Sequence, residues 1–247
     1  MPPVLVYHDY IHGNGVLFRR LCRHYGGANV ALCDARDILS GALDEARLLV
    51  MPGGADLYYC EKLNGAGNDL IRSFVEQGGA YLGICAGAYY AARDIMWAQD
   101  TPHRISGRRS LAFFPGTVTG PVAAFIEDGD VEKSWKNAVR IRFGEDCHTV
   151  LYDGGGLFTD DDTCDVLARY DDLPGRPAAI ISCAVGKGMA ILSSPHIEYD
   201  ADSFCDSLYK HCNNSFAWEE SVARRMKRAA PQTQDLLALV LDRSYKQ

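Results

Sequence analysis

Short apolar runs alternate with amphipathic stretches through the first half of the chain. Four runs are almost continuously apolar, which is typical of strands buried on both faces of a parallel sheet: Val4–Tyr7, Asn29–Cys33, Ala46–Met51 and Ala80–Ile84. Between them, apolar residues recur at helical spacing in three stretches: Val16–Tyr25, Ala35–Leu39 and Gly67–Gln77. Repeated β-α-β units predict an α/β fold with a mostly parallel, doubly wound sheet that is covered by helices on both faces.

The second half of the chain has a different pattern. It is rich in Gly, Asp and Thr up to Tyr170, with only short β-like runs at Ser110–Phe114, Ala138–Phe143, Thr149–Tyr152 and Val166–Tyr170. We interpret these runs as antiparallel additions to the sheet or as long loops near its carboxyl edge. A hairpin and three helices are predicted next: Ala178–Ala184 with Met189–Ser193, then Ala201–His211, Phe216–Arg228 and Gln232–Ser244. We expect a single domain over residues 1–247, with its core at about 3–200 and a helical C-terminal extension at about 201–247.

The most specific motif is Gly83-Ile84-Cys85-Ala86-Gly87, directly after the fourth predicted strand. A helix is predicted over Ala88–Arg93, so the motif lies at a strand-to-helix turn. A Gly-x-Cys-x-Gly at such a turn is the sulfur counterpart of the nucleophile elbow. A cysteine there projects from the carboxyl end of the sheet, where the positive end of the helix favours a thiolate. Cys85 is therefore the candidate nucleophile.

His196 and Glu198 are the candidate partners of that nucleophile. His196 follows the end of a predicted buried strand, where α/β folds gather their functional sites. In extended backbone a spacing of two puts both side chains on one face. A carboxylate beside the imidazole accepts its second N–H, fixes the tautomer and stabilises the imidazolium. The alternative is a histidine and a glutamate that form an ordinary surface pair.

The turn Pro52-Gly53-Gly54 ends the third predicted strand and is the third part of the site. Glycines at this position can expose backbone N–H groups to a developing oxyanion. The N–H groups of Gly54 and of Ala86, the residue after the nucleophile, are the two candidate donors. The alternative is an ordinary Pro-Gly-Gly turn with no chemical role.

Composition narrows the classes of function. The formal charge is −7 and the pI is about 5.5, so a nucleic-acid partner is not expected. No apolar run is long enough for a membrane span, and the N-terminal residues do not read as a secretory signal. Nine cysteines without a Cys-x-x-Cys pair indicate a reducing cytoplasm and not a disulfide framework. His8 and His12 lack an evident third ligand, so neither a metal nor a cofactor is expected.

Together the three motifs resemble the class I glutamine amidotransferase-like superfamily. The resemblance implies a three-layer α/β/α flavodoxin-like sheet and a Cys-His-Glu triad, with Cys85 as nucleophile, His196 as general base and acid, and Glu198 as the residue that orients it. Within the superfamily the chain is most similar to the N-terminal domain of eukaryotic-type biotin-protein ligases, which also occurs in stand-alone bacterial proteins. That likeness covers about residues 3–200 and rests on four stretches: Val4–Tyr7, Pro52–Asp56, Gly83–Tyr90 and Tyr152–Gly156.

Two departures from this resemblance bear on function. The chain has no Gly-Arg-Gly-Arg-type biotinyl-adenylate loop, and few residues follow position 200, so we expect it not to ligate biotin by itself. Tyr89 stands near the elbow where many glutaminases have a glutamine. This change replaces a polar amide with an aromatic ring, which disfavours glutamine as the substrate.

The sequence therefore predicts a Cys-His-Glu hydrolase or amidotransferase that acts on a small-molecule amide or acyl compound. The expected pocket is lined by Gly53, Asp56, Tyr58, Tyr89 and Tyr152. One alternative is a non-catalytic regulatory or ligand-binding module with a vestigial triad, which the tyrosine and the absent ligase domain motivate. Another is a glutaminase subunit that supplies ammonia to a partner enzyme.

Overall fold

A computed structural model describes residues 3–9, 14–159, 161–208, 216–229 and 235–244. Its first half follows the predicted alternation of strands and helices, with one helix more than predicted. The elements are β1 (Val4–Tyr7), α1 (Asn14–Tyr25), β2 (Val30–Cys33), α2 (Ala35–Leu39), β3 (Leu48–Met51), α3 (Asp56–Leu63), α4 (Ala66–Glu76) and β4 (Ala80–Ile84). The additional helix is α3, which begins directly after the Pro-Gly-Gly turn.

The second half contains most of the strands. Its elements are α5 (Ala86–Tyr90), β5 (Ala92–Trp97), β6 (Ile105–Arg108), β7 (Phe114–Gly120), β8 (Lys136–Phe143), β9 (Asp146–Asp153), β10 (Leu157–Thr159), β11 (Asp165–Tyr170), β12 (Ala178–Val185), β13 (Gly188–Ser193), α6 (Ala201–Leu208), α7 (Phe216–Ala229) and α8 (Leu236–Ser244). The three C-terminal helices agree with the predicted ones where the chain is described. The predicted stretches 209–211 and 232–234 lie outside the described residues.

In the described part of the chain, nine strands form the main sheet, in the order β2-β1-β3-β4-β13-β12-β11-β8-β9. The first five strands in this order pair in parallel, and each remaining pair is antiparallel. The carboxyl ends of β3, β4 and β13 therefore meet at one edge of the sheet. Those three strand ends carry the Pro-Gly-Gly turn, Cys85 and His196. The predicted α/β class with added antiparallel strands is confirmed.

A second sheet has the order β10-β7-β5-β6 and is built from the middle of the chain. One prediction is wrong here. The helix predicted over Ala88–Arg93 begins and ends earlier, since α5 ends at Tyr90 and residue 92 already pairs with β7. A distant partner strand thus overrides the local helical pattern. The β-like run Ser110–Phe114, for which an added strand and a loop were both expected, is a loop up to β7, and two of its carbonyl groups accept hydrogen bonds from Arg72 of α4.

Both faces of the main sheet are covered, as its almost continuously apolar strands require. Alternate residues of β3 show this directly. Leu49 and Met51 belong to the core under α2, α3, α4 and α5, whereas Leu48 and Val50 belong to the core under α1 and α8. An ion pair of 2.5 Å between Arg20 and Asp235 ties α1 to the start of α8. None of the described helices is long and apolar enough to cross a membrane.

Candidate active site

Cys85 lies on a strained turn at the carboxyl end of β4. Its backbone has φ 50° and ψ −103°, a conformation that a residue with a side chain rarely adopts. The turn is held because the Cys85 N–H donates to the carbonyl of Ser193 at 2.8 Å, while α5 begins at the next residue. A strained residue held in this way at a strand-to-helix turn is the geometry of a nucleophile elbow.

The two glycines of the elbow are required by close backbone packing. A Cβ atom on Gly83 would lie 2.5 Å from the carbonyl oxygen of Gly87. A Cβ atom on Gly87 would lie 2.1 Å from the carbonyl oxygen of Met51 in β3. Any larger residue at either position would push the turn away from the neighbouring strand. The glycines thus let the nucleophile turn lie against the end of β3.

His196 follows β13 and is fixed by its backbone and by Glu198. Its N–H donates to the carbonyl of Leu151 in β9 at 2.8 Å. Its Nδ1 lies 2.7 Å from Oε1 of Glu198, and both side chains are buried. A carboxylate on Nδ1 leaves Nε2 as the ring nitrogen that is free to exchange a proton with the thiol. The structure brings the three predicted residues Cys85, His196 and Glu198 together.

Electrostatics favour a charged imidazole at this position. Burial lowers the pKa of His196, but the Glu198 carboxylate and the Cys85 side chain, which hydrogen-bonds the ring, outweigh it and hold the pKa well above its usual value. The second carboxylate oxygen of Glu198 is buried without a hydrogen-bond partner in the described part of the chain. The histidine is thus stabilised as an imidazolium that faces the sulfur.

Gly53 packs against the ring of His196. A Cβ atom on Gly53 would lie 2.3 Å from Cε1 of the imidazole, so only glycine fits between β3 and the histidine. The next residue, Gly54, has φ 142°, a backbone conformation that glycine alone adopts without strain. The Tyr59 hydroxyl donates to the Pro52 carbonyl at 2.7 Å and holds this turn. The Pro-Gly-Gly turn therefore determines the space beside the His196 ring. This packing role of Gly53 could not be predicted from the sequence.

The two predicted oxyanion donors lie at the ends of neighbouring strands: Ala86 directly follows the nucleophile, and Gly54 belongs to the turn after β3. Ala86 is the first residue of α5, and the first N–H groups of a helix have no partner within it. Gly54 lies on the exposed part of the Pro-Gly-Gly turn. Their role as donors stays a prediction.

A second turn covers the thiol from the other side. Its residues are Asp153–Gly156, and every one of their carbonyl groups accepts a hydrogen bond from a side chain. The Cys85 thiol donates to Asp153 at 3.4 Å, Tyr89 and Trp97 donate to Gly154 at 3.2 Å each, Tyr152 donates to Gly155 at 2.6 Å, and Ser194 donates to Gly156 at 2.5 Å. The thiol and two of the three predicted pocket tyrosines, Tyr89 and Tyr152, are thus tied to one backbone segment.

The remaining predicted pocket residues have separate positions. Asp56 is buried and forms an ion pair of 2.6 Å with Arg109, whose side chain is itself only 6% exposed. The pair links the start of α3 to the loop that follows β6. The Tyr58 ring is 44% exposed, and its contact with a substrate stays a prediction. Cavities of about 420 Å³ and 260 Å³ lie elsewhere, and neither is lined by Cys85.

Several residues around the site were missed by sequence reasoning. Tyr170 donates to Ser194 at 2.8 Å, and Ser194 in turn holds the Asp153–Gly156 turn. Arg109, which pairs with Asp56, was not selected from the sequence either. Tyr170 and Arg109 have no local signal, because each one reaches the site from a strand or loop that is distant in sequence. Ser194 lies two residues before His196, but its bond to a backbone carbonyl leaves no mark on the sequence. Among the described residues, no group of three His, Cys, Asp or Glu could hold a metal, and His12 lies outside them.

Comparison with known proteins places the chain in a family. The family model described as "Biotin-protein ligase, N terminal" matches residues 30–244, which is most of the chain. The chain belongs to this family. The resemblance read from the sequence motifs is thereby confirmed, and the matched range includes the elbow, the Asp153–Gly156 turn and the His196–Glu198 pair.

Two curated relatives of this biotin-protein ligase N-terminal family member differ in length. An uncharacterized protein of Chlamydia muridarum is 41% identical over 169 residues, which cover 66% of this chain and 64% of that protein. A biotin–protein ligase of Schizosaccharomyces pombe is 39% identical over 165 residues, which cover 63% of this chain and 26% of that protein. The chain thus matches less than two thirds of the length of either relative.

Solved structures share the fold of this family member. A glutamine amidotransferase from Thermotoga maritima aligns over the whole of both chains with a TM-score of 0.57 and 14% identity. A second glutamine amidotransferase structure covers 79% of this chain and 90% of its own, with a TM-score of 0.55 and 21% identity. At these identities the likeness shows the fold alone, and it confirms the predicted three-layer architecture.

Proposed function

We propose that this protein is a cysteine-dependent amidase or amidotransferase that acts on a small amide or related acyl compound. Cys85 is the nucleophile, His196 the general base and acid, and Glu198 the residue that orients the imidazole. One observation carries the proposal: a cysteine in a strained positive-φ turn hydrogen-bonds an imidazole whose other nitrogen is held by a carboxylate. That arrangement matches the activation of a sulfur nucleophile in acyl transfer.

The proposed reaction has two steps. The Cys85 sulfur attacks the carbonyl carbon of the substrate, and the backbone N–H groups of Gly54 and Ala86 stabilise the oxyanion that forms. His196 gives its proton to the leaving amine as the C–N bond breaks, which leaves a thioester on Cys85. Water, activated by the neutral His196, then attacks the thioester, and the thiolate leaves as the acid is released.

The predicted pocket residues near the thiol carry no unpaired charge. The hydroxyl groups of Tyr89 and Tyr152 bond backbone carbonyls, and Asp56 forms an ion pair with Arg109. The substrate is therefore a compound whose reacting end is uncharged, and it must displace the Asp153 carbonyl from the thiol.

We further propose that the whole chain forms one domain and that the protein acts in the cytoplasm. A partner enzyme could accept the amine that the reaction releases.

The test is competitive alkylation of the purified full chain with iodoacetamide at pH 6.5, followed by mass spectrometry of each cysteine. Cys85 is expected to react faster than exposed Cys147, because an adjacent imidazolium favours the thiolate. His196→Ala is expected to remove this advantage while the labelling of Cys147 is unchanged. A Cys85 that labels no faster than the other cysteines contradicts an activated nucleophile.

A second candidate is a non-catalytic ligand-binding or regulatory module. It is favoured by the closed state of the site, in which Cys85 is 6% exposed and its thiol contacts Asp153. The discriminating variant is Cys85→Ser, which keeps the shape of the turn. Survival of the cellular role in that variant supports the module, and loss of the role with a folded protein supports catalysis.

A third candidate is a glutaminase subunit, which the structural likeness to glutamine amidotransferases motivates. Tyr89 opposes it, because its ring fills the position near the elbow and its hydroxyl is used by Gly154. Release of ammonia from glutamine only after a partner enzyme is added would favour this candidate. No release with any partner, together with hydrolysis of another amide, supports the first proposal.

A further inference from the structure

Two cysteines outside the candidate active site face each other on adjacent strands. β11 and β12 are antiparallel, with Asp165 opposite Ser182 and Val166 opposite Ile181. Continuing this register by one residue puts Cys164, which immediately precedes β11, opposite Cys183. Directly opposite residues of antiparallel strands have Cα atoms about 4.5–5.5 Å apart, within the range of about 4.4–6.8 Å that a disulfide spans.

The two thiols also touch. The Cys183 side chain hydrogen-bonds that of Cys164, and Cys164 packs against the same core cluster that contains Cys183. Cys183 is 3% exposed, whereas Cys164 is half-buried, and neither residue is in a disulfide. The pair therefore combines one buried cysteine with one that is partly exposed to solvent.

We propose that Cys164 and Cys183 form an oxidation site, at which a peroxide converts the dithiol into a cross-strand disulfide. The Cys164 sulfur attacks one oxygen of hydrogen peroxide, the O–O bond breaks, and a sulfenic acid and one water result. The Cys183 sulfur then attacks the sulfenic sulfur, the S–O bond breaks, and a second water leaves. Two thiols and one peroxide thus yield one disulfide and two waters.

The order of the two steps follows from the surroundings of each sulfur. The hydrogen bond with Cys164 and burial raise the pKa of Cys183, so this thiol holds its proton and meets no oxidant directly. Cys164 is the more exposed of the two cysteines and therefore reacts first with the peroxide. The buried thiol is the resolving group, since its neighbour is the only sulfur that its hydrogen bond reaches among the described residues.

The pair is separate from the proposed nucleophile. Cys183 pairs with Ala190 of β13, and Ala190 pairs in turn with Tyr81 of β4. Tyr81 lies four residues before Cys85. Four residues of strand correspond to about 13 Å, so the two sulfurs of the pair meet each other long before either meets Cys85. The oxidation site consequently does not depend on whether the elbow is catalytic.

The test is disulfide mapping of the full chain after mild oxidation. Reduced protein is treated with hydrogen peroxide, remaining thiols are blocked with N-ethylmaleimide in denaturant, and trypsin with Asp-N separates Cys147 from Cys164. The expected product is a peptide that joins Cys164 to Cys183, with a mass lower by two hydrogen atoms and a yield independent of protein concentration. Cys147→Ser and Cys85→Ser are expected to keep this product, and Cys164→Ser or Cys183→Ser to abolish it.

Two results would overturn the proposal. One is oxidation of Cys164 to the sulfinic acid while Cys183 stays fully open to N-ethylmaleimide. The other is a disulfide of either residue with a third cysteine or with a second chain, which would rise with protein concentration. Because the mapping uses the unmodified protein, a variant that fails to fold leaves the result intact.

Discussion

Cys85 and Cys183 are two buried thiols in one sheet, yet their surroundings give them different chemistry. Their exposed fractions, 6% and 3%, are nearly equal. Cys85 ends β4 on a strained turn and contacts an imidazole and a backbone carbonyl. Cys183 lies within β12 among apolar side chains and hydrogen-bonds another thiol. Burial therefore does not decide what a cysteine does in this fold; its neighbours and its backbone do.

The electrostatic effects of the two settings have opposite consequences. At Cys183 the hydrogen bond with Cys164 and burial raise the pKa of the thiol, which keeps it neutral. At Cys85 the neighbouring Glu198 and the sulfur raise the pKa of His196 against burial, which places a positive charge beside the sulfur. A substitution that makes the surroundings of the two thiols alike should also make their reactivities alike.

The largest effect on stability is expected for Gly87→Ala, which creates a steric clash in the backbone of the elbow. The new Cβ would lie 2.1 Å from the Met51 carbonyl oxygen, and backbone cannot rotate away as a flexible side chain can. We expect the free energy of unfolding to fall by about 1–3 kcal/mol, measured by urea denaturation. Gly27→Ala is the control, because its Cβ would meet nothing within 4 Å. Equal stability of the two variants would contradict the packing of the elbow against β3.

Gly53→Ala is expected to make Cys85 behave like an ordinary buried cysteine. Its Cβ would lie 2.3 Å from the imidazole, so His196 must move away from the sulfur. Loss of a positioned imidazole should reduce the alkylation rate of Cys85 by about tenfold or more. The alkylation rate of Cys147 in Gly53→Ala should stay unchanged, and so should the alkylation rate of Cys85 in the Gly27→Ala control. An unaltered Cys85 rate in folded Gly53→Ala would show that the histidine does not govern the thiol.

The polar surroundings of Cys85 predict unequal effects of two similar substitutions. Tyr152→Phe removes the acceptor of the buried Val122 N–H and the donor to Gly155, which should cost about 1–3 kcal/mol. Tyr89→Phe should cost no more than about 1 kcal/mol, because Trp97 still donates to Gly154. Thermal or urea unfolding of both variants provides the comparison. A larger loss for Tyr89→Phe would mean that the Asp153–Gly156 turn is held differently.

The pKa of His196 distinguishes the charged surroundings of Cys85 from the neutral surroundings of Cys183. The ring protons of His196, followed by NMR, should titrate above the ordinary pKa of histidine, and Glu198→Gln should lower that pKa. A raised folded-state pKa gives a stabilisation that is complete below about pH 6.5 and is lost as the pH rises through the folded value. Glu198→Gln should therefore destabilise more at low than at high pH. An unchanged pKa of His196 in this variant would contradict the ion pair.

The sequence predicts the parts of this structure that depend on local pattern. β4 matches its predicted bounds, because a strand buried on both faces is apolar without interruption. The helix α3 was not predicted, since its residues Asp56–Leu63 mix apolar and charged positions without a clear period. The helix predicted over Ala88–Arg93 ran into the first two residues of β5, because the pairing of β5 with β6 and β7 is a tertiary effect.

The same division holds for the candidate site. Cys85, His196 and Glu198 could be chosen because each follows a strand whose end could be predicted, and parallel strands bring their carboxyl ends together. The carbonyl groups of the Asp153–Gly156 turn could not be chosen, since backbone atoms leave no mark on residue type. The contact of Gly53 with the imidazole was equally hidden, because a turn glycine and a packing glycine look the same in sequence.

The most direct test of the central claim is the pH profile of alkylation for Cys85 and Cys147 in the same sample of unmodified protein. We expect Cys85 to react faster than Cys147, and the ratio of the two rates to grow as the pH falls from 8 towards 6, because the imidazolium of His196 persists beside Cys85. Profiles that coincide, or a lead that vanishes below pH 7, would contradict a Cys85 activated by His196.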